Sequence, residues 1–327
     1  MRRVPVILIV LAILFLIVSF FIPVKLENKI FVANTFENIA SSTIRPKSWI
    51  KWNASVREAW VKDSSACHFT EDSVRHTATI EIPGKKIVIT QISYLIYQLE
   101  EIKDHGPSSL FGFGIVPYVG NGQQRSEHNT NLVYARVTNL FYKLFPFLEK
   151  PSFAKRTISG LVAFVEDNTR FYGYPIDLKQ TTDTLFLTKS EDLAKKDLFS
   201  RIPVLFEEIG REARNNNCQT TIKNLSYTIL GGDSVTVMAG YNIDKLIKGD
   251  YLYVFRQFPA GQPLAVASYK GIYRDRLRLY AAMDKYIPDH ELLKVGLPFE
   301  KYAAAAPLPT SDTSVVAFEL CYPLRFQ

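Results

Sequence analysis

Glu300 and Glu319 are the residues of this 327-residue chain best placed to do chemistry. Each is a carboxylate among apolar neighbours, in Phe299-Glu300-Lys301-Tyr302 and in Phe318-Glu319-Leu320. A carboxylate in such surroundings loses hydration, and a ligand cation offsets that loss. Tyr269, Tyr273, Tyr280 and Tyr302 occupy the same C-terminal stretch. Their ring faces attract cations and their hydroxyls supply hydrogen bonds. By strand alternation Glu319 shares a face with Ala317 and Cys321, so it points either to solvent or into a cleft.

Several other chemistries lack their residues. The chain has no Gly-x-Ser-x-Gly, no His-Glu-x-x-His and no phosphate-cradling glycine loop. Its histidines, His68, His76, His105, His128 and His290, show no ligand spacing, so no metal and no cofactor is expected. Cys67, Cys218 and Cys321 are odd in number and scattered, and read as buried small hydrophobes. The net charge is +7, but basic residues are dispersed among acidic ones without a helix-turn-helix pattern. No nucleic-acid partner is expected from that distribution.

The elements that must position the candidates follow from periodicity. Leu264–Tyr269 alternates as a strand, and Tyr273, Leu277, Tyr280 and Ala281 recur at helical spacings. Ser314–Leu324 reads as a terminal strand carrying Glu319. Upstream, Ile176–Thr188 is strand-like, Asp192–Arg214 helical with Pro203 as a kink or a later start, and Tyr227–Leu230, Ser234–Tyr241 and Tyr251–Phe258 are strands.

The order strand-Gly-x-Tyr-helix, then Glu-x-Tyr, then a Glu-bearing strand closing on Pro-Leu, resembles the GyrI-like effector-binding domain. The resemblance covers about residues 172–327. It implies two α+β modules of βαββ type side by side, with a ligand cleft between them. It further implies that Tyr269, Tyr273, Tyr280, Glu300, Tyr302 and Glu319 bind a hydrophobic or cationic aromatic molecule. Some members resemble hydrolases of electrophilic compounds, and for those Glu300 and Tyr302 would serve as base and hydrogen-bond donor. The family's regulators carry a DNA-binding domain ahead of this one, whereas this chain has other material there. The resemblance therefore implies ligand binding and not transcription control. A third alternative is an interaction module with no open pocket.

The residues before 171 read as two further parts. Pro5–Pro23 is almost uninterruptedly apolar behind Arg2-Arg3, long enough at ~1.5 Å per residue to cross a ~30 Å layer. It ends without an Ala-x-Ala-like site, which favours an uncleaved anchor over a signal peptide. The expectation is a transmembrane helix at 1–24 in a bacterial inner membrane, single-pass, with periplasmic soluble domains. Residues 25–170 read as a strand, short helices, an antiparallel run of strands and a final helix from Ser152 through Phe164. The runs Ala66–Glu71, His76–Ile82, Lys86–Leu99, Ser109–Val119 and Asn129–Leu140 are its expected strands. With Trp49-x-x-Trp52 and Phe153…Gly160-Leu161…Phe164, this order resembles the START/SRPBCC superfamily. That likeness implies a helix-grip fold with an apolar cavity near Phe111, Phe113, Tyr134 and Phe141. The expected chain is α+β throughout: anchor at 1–24, START-like domain at 25–170 and GyrI-like domain at 171–327.

Overall fold

The structure, a computed structural model, describes residues 11, 13–119, 125–145, 152–182, 185–248 and 250–326. It is mixed α+β, with two large antiparallel sheets and several helices. It divides into two compact units, Met1–Asp167 and Asn168–Gln327.

The expected membrane anchor is corrected. Among the described residues no helix is long and apolar enough to cross a membrane. Residues 11 and 13–19 are helical. Residues 20–22 form a turn, and Pro23 opens a strand by pairing with Asn139. Sheet pairing therefore takes the end of the apolar run, and Phe20 stacks on Phe141 with ring centroids 4.0 Å apart. The single-pass inner-membrane placement with periplasmic domains loses its basis with the anchor. Residues 1–10 and 12 lie outside the described residues.

Seven strands of the first unit are described: β1 (Pro23–Val32), β2 (His68–Asp72), β3 (Thr77–Ile82), β4 (Lys85–Ser93), β5 (Ile96–Lys103), β6 (Ser109–Val119) and β7 (Arg125–Asn139). They form one antiparallel sheet in the order β1-β7-β6-β5-β4-β3-β2. Alternation buries Ile80, Ile87, Ile89, Leu99, Phe111 and Phe113. The Phe36–Ile44 and Phe153–Val165 helices pack against this sheet and each other. Thr35 caps the first by accepting from the Asn38 amide, and Ser152 caps the second through Lys155. Phe111, Phe113 and Tyr134 are buried core residues, while Phe141 stacks on Phe20. Lys86–Leu99, expected as one strand, is split between β4 and β5 at Tyr94-Leu95. That turn holds no glycine, proline, asparagine or aspartate, so it leaves no mark in the sequence.

The second unit contributes β8 (Ile176–Gln180), β9 (Leu185–Ala194), β10 (Thr220–Gly231), β11 (Ser234–Ile243), β12 (Val254–Gln257), β13 (Pro263–Ile272), β14 (Leu292–Lys294), β15 (Phe299–Tyr302) and β16 (Val315–Phe326). Eight of these run in the order β12-β9-β11-β10-β15-β16-β13-β8, and β14 pairs with β16. The centre of that order is mirrored. β9, the Leu198–Asn215 helix, β10 and β11 form one strand-helix-strand-strand module. β13, the Leu277–Asp289 helix, β15 and β16 form the other, and β10 meets β15 at the seam. The earlier helix starts at Leu198, later than expected, because β9 stays paired with β11 through Ala194. Pro203 lies within it. Both helices bury their apolar faces, Ile202, Leu205 and Phe206 from one and Leu279, Met283 and Ile287 from the other, in one cluster with Leu225 and Leu320.

Trp49 and Trp52, at the two ends of one short helix, are buried and structural. Trp49 is fully buried and its indole N–H donates to the Thr43 carbonyl at 2.8 Å. Trp49→Ala should lower unfolding free energy by about 3–5 kcal/mol in a denaturant titration. Trp60→Ala, at a 37% exposed side chain, should shift it by no more than about 1 kcal/mol.

Candidate functional site

The short strand β15 carries the site. It pairs with β10 on one side and β16 on the other, setting Glu300 beside Leu225 and Leu320. Pleating turns Glu300 and Tyr302 toward the helices and Phe299 and Lys301 to the opposite face. Glu300 and Tyr302 are both wholly buried.

The donors arrive from the chain after β13. A 3₁₀ turn over Tyr273–Arg276 leads into the Leu277–Asp289 helix. Tyr273, Arg276 and Tyr280, spaced three and four apart, therefore project to one side. Glu300 Oε1 accepts from Arg276 Nε at 3.0 Å and from the Tyr280 hydroxyl at 3.1 Å. Its Oε2 accepts from the Tyr302 hydroxyl at 2.6 Å. The Tyr273 hydroxyl donates to both oxygens, at 3.1 and 3.3 Å. Because the single Tyr273 proton points at Glu300, the Tyr227 hydroxyl 2.5 Å away must be the donor between those two. The Arg276 guanidinium also lies 3.7 Å from the Tyr273 ring centroid and donates to the Tyr273 carbonyl.

The electrostatics are those of a dry, compensated charge. Burial pushes the Glu300 carboxyl above its ordinary value, while Arg276 and the hydroxyls of Tyr302, Tyr273 and Tyr280 pull it back. Burial, reinforced by the adjacent carboxylate, pushes the phenols of Tyr227, Tyr273, Tyr280 and Tyr302 far up. They stay protonated and act as donors. A carboxylate offers about four acceptor positions, and four donors fill them. Glu300 acts as a base only after one donor leaves.

The six candidates divide into two overlapping groups. Tyr273, Tyr280, Glu300 and Tyr302 form the closed cluster. Tyr269, Tyr302 and Glu319 line an open groove of about 770 Å³, together with Phe318, Lys270 and Lys301. The Phe318 ring lies 5.2 Å from Tyr269 and 5.3 Å from Tyr302, and all three residues are buried. The Tyr269 hydroxyl donates to the Ile272 carbonyl, not to a carboxylate. Glu319 is 38% exposed and pairs with Lys179 at 3.3 Å. Sequence reasoning missed Arg276 and Tyr227. Arg276 shares the helical spacing of Tyr273 and Tyr280 and was findable on that ground. Tyr227 reaches the cluster only through the pairing of β10 with β15, a long-range contact without a local signal.

No family model matches the chain, and no curated protein matches it. Solved structures resemble it remotely. The C-terminal domain of EcmrR matches at 17% identity and a TM-score of 0.39, covering 47% of this chain and 99% of that one. An EcmrR–DNA complex matches at 14% and 0.39, over 57% of this chain and 76% of that one. A hydrolase from Listeria innocua matches at 7% and 0.35, over 46% and 92%. Likenesses this distant fix neither ligand nor activity.

Removing one partner of a buried ion pair strands the other charge, at a cost of about 3–5 kcal/mol. Glu300→Ala and Arg276→Ala should each show that loss in chemical denaturation, and the double variant should lose less than their sum. Additive losses would mean the pair is not coupled. The phenols give a second test. Their folded values lie above the unfolded value near 10, so their contribution is complete below about pH 10 and lost as pH rises through the folded values. Stability should fall on the alkaline side from about pH 10, and less steeply in Tyr302→Phe.

Proposed function

We propose that the Asn168–Gln327 unit is a GyrI-like effector-binding domain that takes a lipophilic aromatic cation in the groove lined by Tyr269, Phe318 and Glu319, with the Tyr302 ring buried behind it. One observation carries this reading: Tyr302 belongs both to the groove and to the buried carboxylate cluster. A phenol that donates at 2.6 Å to a carboxylate has an electron-enriched ring, which attracts cations more strongly. Arg276 supports it further, since its planar cation already lies on a tyrosine face beside Glu300. The mirrored strand-helix-strand-strand order of the sheet is the arrangement that the resemblance implies. We read the first unit as a START-like helix-grip domain, supported by its sheet order and the Phe153–Val165 helix. The two are read as separate domains meeting near residue 170.

A second reading is a hydrolase of electrophilic compounds with Glu300 as base and Tyr302 as donor. Their direct hydrogen bond favours pairing these two roles. The filled acceptor positions of Glu300 make binding the leading function.

Titration of a lipophilic cationic dye tests the proposal by charge. Glu300→Gln leaves the Arg276 charge uncompensated behind the groove and should weaken the dye by roughly 1–3 kcal/mol. Glu319→Gln removes a solvated, salt-bridged charge and should cost less than about 1 kcal/mol. Arg276→Met should strengthen dye binding, because the carboxylate then lacks its internal cation. A neutral ligand of the same shape should respond little to any of the three. Equal dye affinity in all four proteins would remove the carboxylate mechanism, and turnover of an electrophile lost in Glu300→Gln would put the hydrolase first.

A further inference from the structure

The face of the nine-stranded sheet opposite Glu300 holds two adjoining cavities, of about 120 and 310 Å³. They share the walls Phe186, Asn224, Phe258 and Phe299. Phe186 and Phe258 meet edge to face at 5.1 Å. Asn224 stands on β10 next to Leu225, so the pleat that sends Leu225 into the helix-side core sends Asn224 here. Its partner on β11 is Gly240, where a side chain would meet the Thr188 methyl at 2.9 Å and the Leu187 carbonyl at 3.1 Å.

The polar chemistry of this place is incomplete. Asn224 is 9% exposed and its Nδ2 donates to Asn242 Oδ1 at 2.5 Å. Its own Oδ1 is buried and has no hydrogen-bond partner among the described residues. An acceptor left in that state costs about 1–3 kcal/mol. The other polar groups on the larger cavity are already engaged. The Ser226 hydroxyl donates to the Pro298 carbonyl, and the Thr188 hydroxyl donates to Val254 and accepts from Arg256. The rest of the larger cavity's lining is mostly apolar, including Phe186, Phe258, Phe299 and Leu297, with Arg256 its one charged residue. An occupant with an apolar body and a single donor fits both requirements.

We propose that this face is a second small-molecule site, which takes a planar aromatic compound whose one N–H or O–H donates to Asn224 Oδ1. The phenylalanine walls hold the ring system by stacking and edge contacts. The buried acceptor selects compounds that carry the donor, because an analogue lacking it leaves Asn224 unsatisfied. The larger cavity lies on the opposite face from the Glu300 cluster, shares no lining residue with the groove and needs no cation, whereas the smaller one meets the groove at Lys301 and Glu319. The ligand class of the larger cavity therefore differs from that of the groove.

Indole and 1-methylindole, alike in shape and different in the donor, are the probes. Calorimetric titration of the full chain should show indole binding about tenfold tighter than 1-methylindole. In Asn224→Leu the preference should vanish. In Met238→Trp, which fills the larger cavity, indole binding should be lost while the thermal unfolding of the protein is kept. Saturation with a lipophilic cationic dye should leave indole affinity unchanged. Equal affinity for the two probes in the unaltered protein would overturn the role of Asn224. No indole binding at millimolar concentration, or indole binding untouched by Met238→Trp, would overturn the site itself.

Discussion

Glu300 can leave water only if its charge is met from every side, and the second unit is assembled so that it is. The carboxylate lies at the seam of two modules, takes its four donors from its own, and is backed by Tyr227 of the other. Tyr302 is on its own strand, Tyr273, Arg276 and Tyr280 come from the turn and helix after β13, and Tyr227 closes the chain of hydroxyls from β10. A one-residue slip of β15 would turn Glu300 to the opposite face and strand Arg276 in the core. The cluster thus fixes register at a strand of only four residues, where apolar alternation alone would specify it weakly. Apolar groups of the same volume often serve stability as well, so the contribution of the ion pair is to specify this register.

The seam presents two surfaces of opposite character. On the helix side Glu300 and Leu225 are paired neighbours, and every acceptor position of the carboxylate is taken. On the other side Asn224 and Lys301 are paired neighbours, and an amide oxygen is left open over a cavity walled by phenylalanine. Period-two pleating makes this separation unavoidable, because adjacent residues of one strand cannot serve the same face. A site on either surface can change without disturbing the chemistry of the other, although both rest on the same backbone hydrogen bonds.

Much of the fold could be read in the residues themselves. Local signals gave the Phe153–Val165 helix through the Ser152 cap, the helix after Tyr273 through its spacing, and β16 through its long apolar run. Signals failed where tertiary pairing decided. The Pro5–Pro23 run reads as a span by hydropathy alone, but its last residues enter a turn and a strand because β7 is there to pair with. Asp192–Ala194 reads as helix and stays in β9 because β11 holds it. Glu300, Tyr273, Tyr280 and Tyr302 were among the six residues that the resemblance marks as ligand-binding. Glu319 reads equally as buried or solvated by alternation, and the structure leaves it half-exposed on an interior strand, paired across β13 with Lys179 of β8.

Arg276 changes what a buried carboxylate means here. A lone anion in an apolar site would attract a cation by full charge, with a large part of the binding energy drawn from relief of desolvation. With the guanidinium 3.0 Å from Oε1, that relief is already supplied inside the protein. What reaches the groove is then the field of an oriented pair and of the phenol proton pointing from Tyr302 to Oε2, which falls off faster with distance than a net charge does. On the proposed reading, ring contact with Tyr269 and Phe318 therefore contributes most of the affinity, and charge chiefly the selectivity. A flat, weakly hydrated organic cation satisfies both conditions, whereas a small, strongly hydrated cation would lose more water than this field returns.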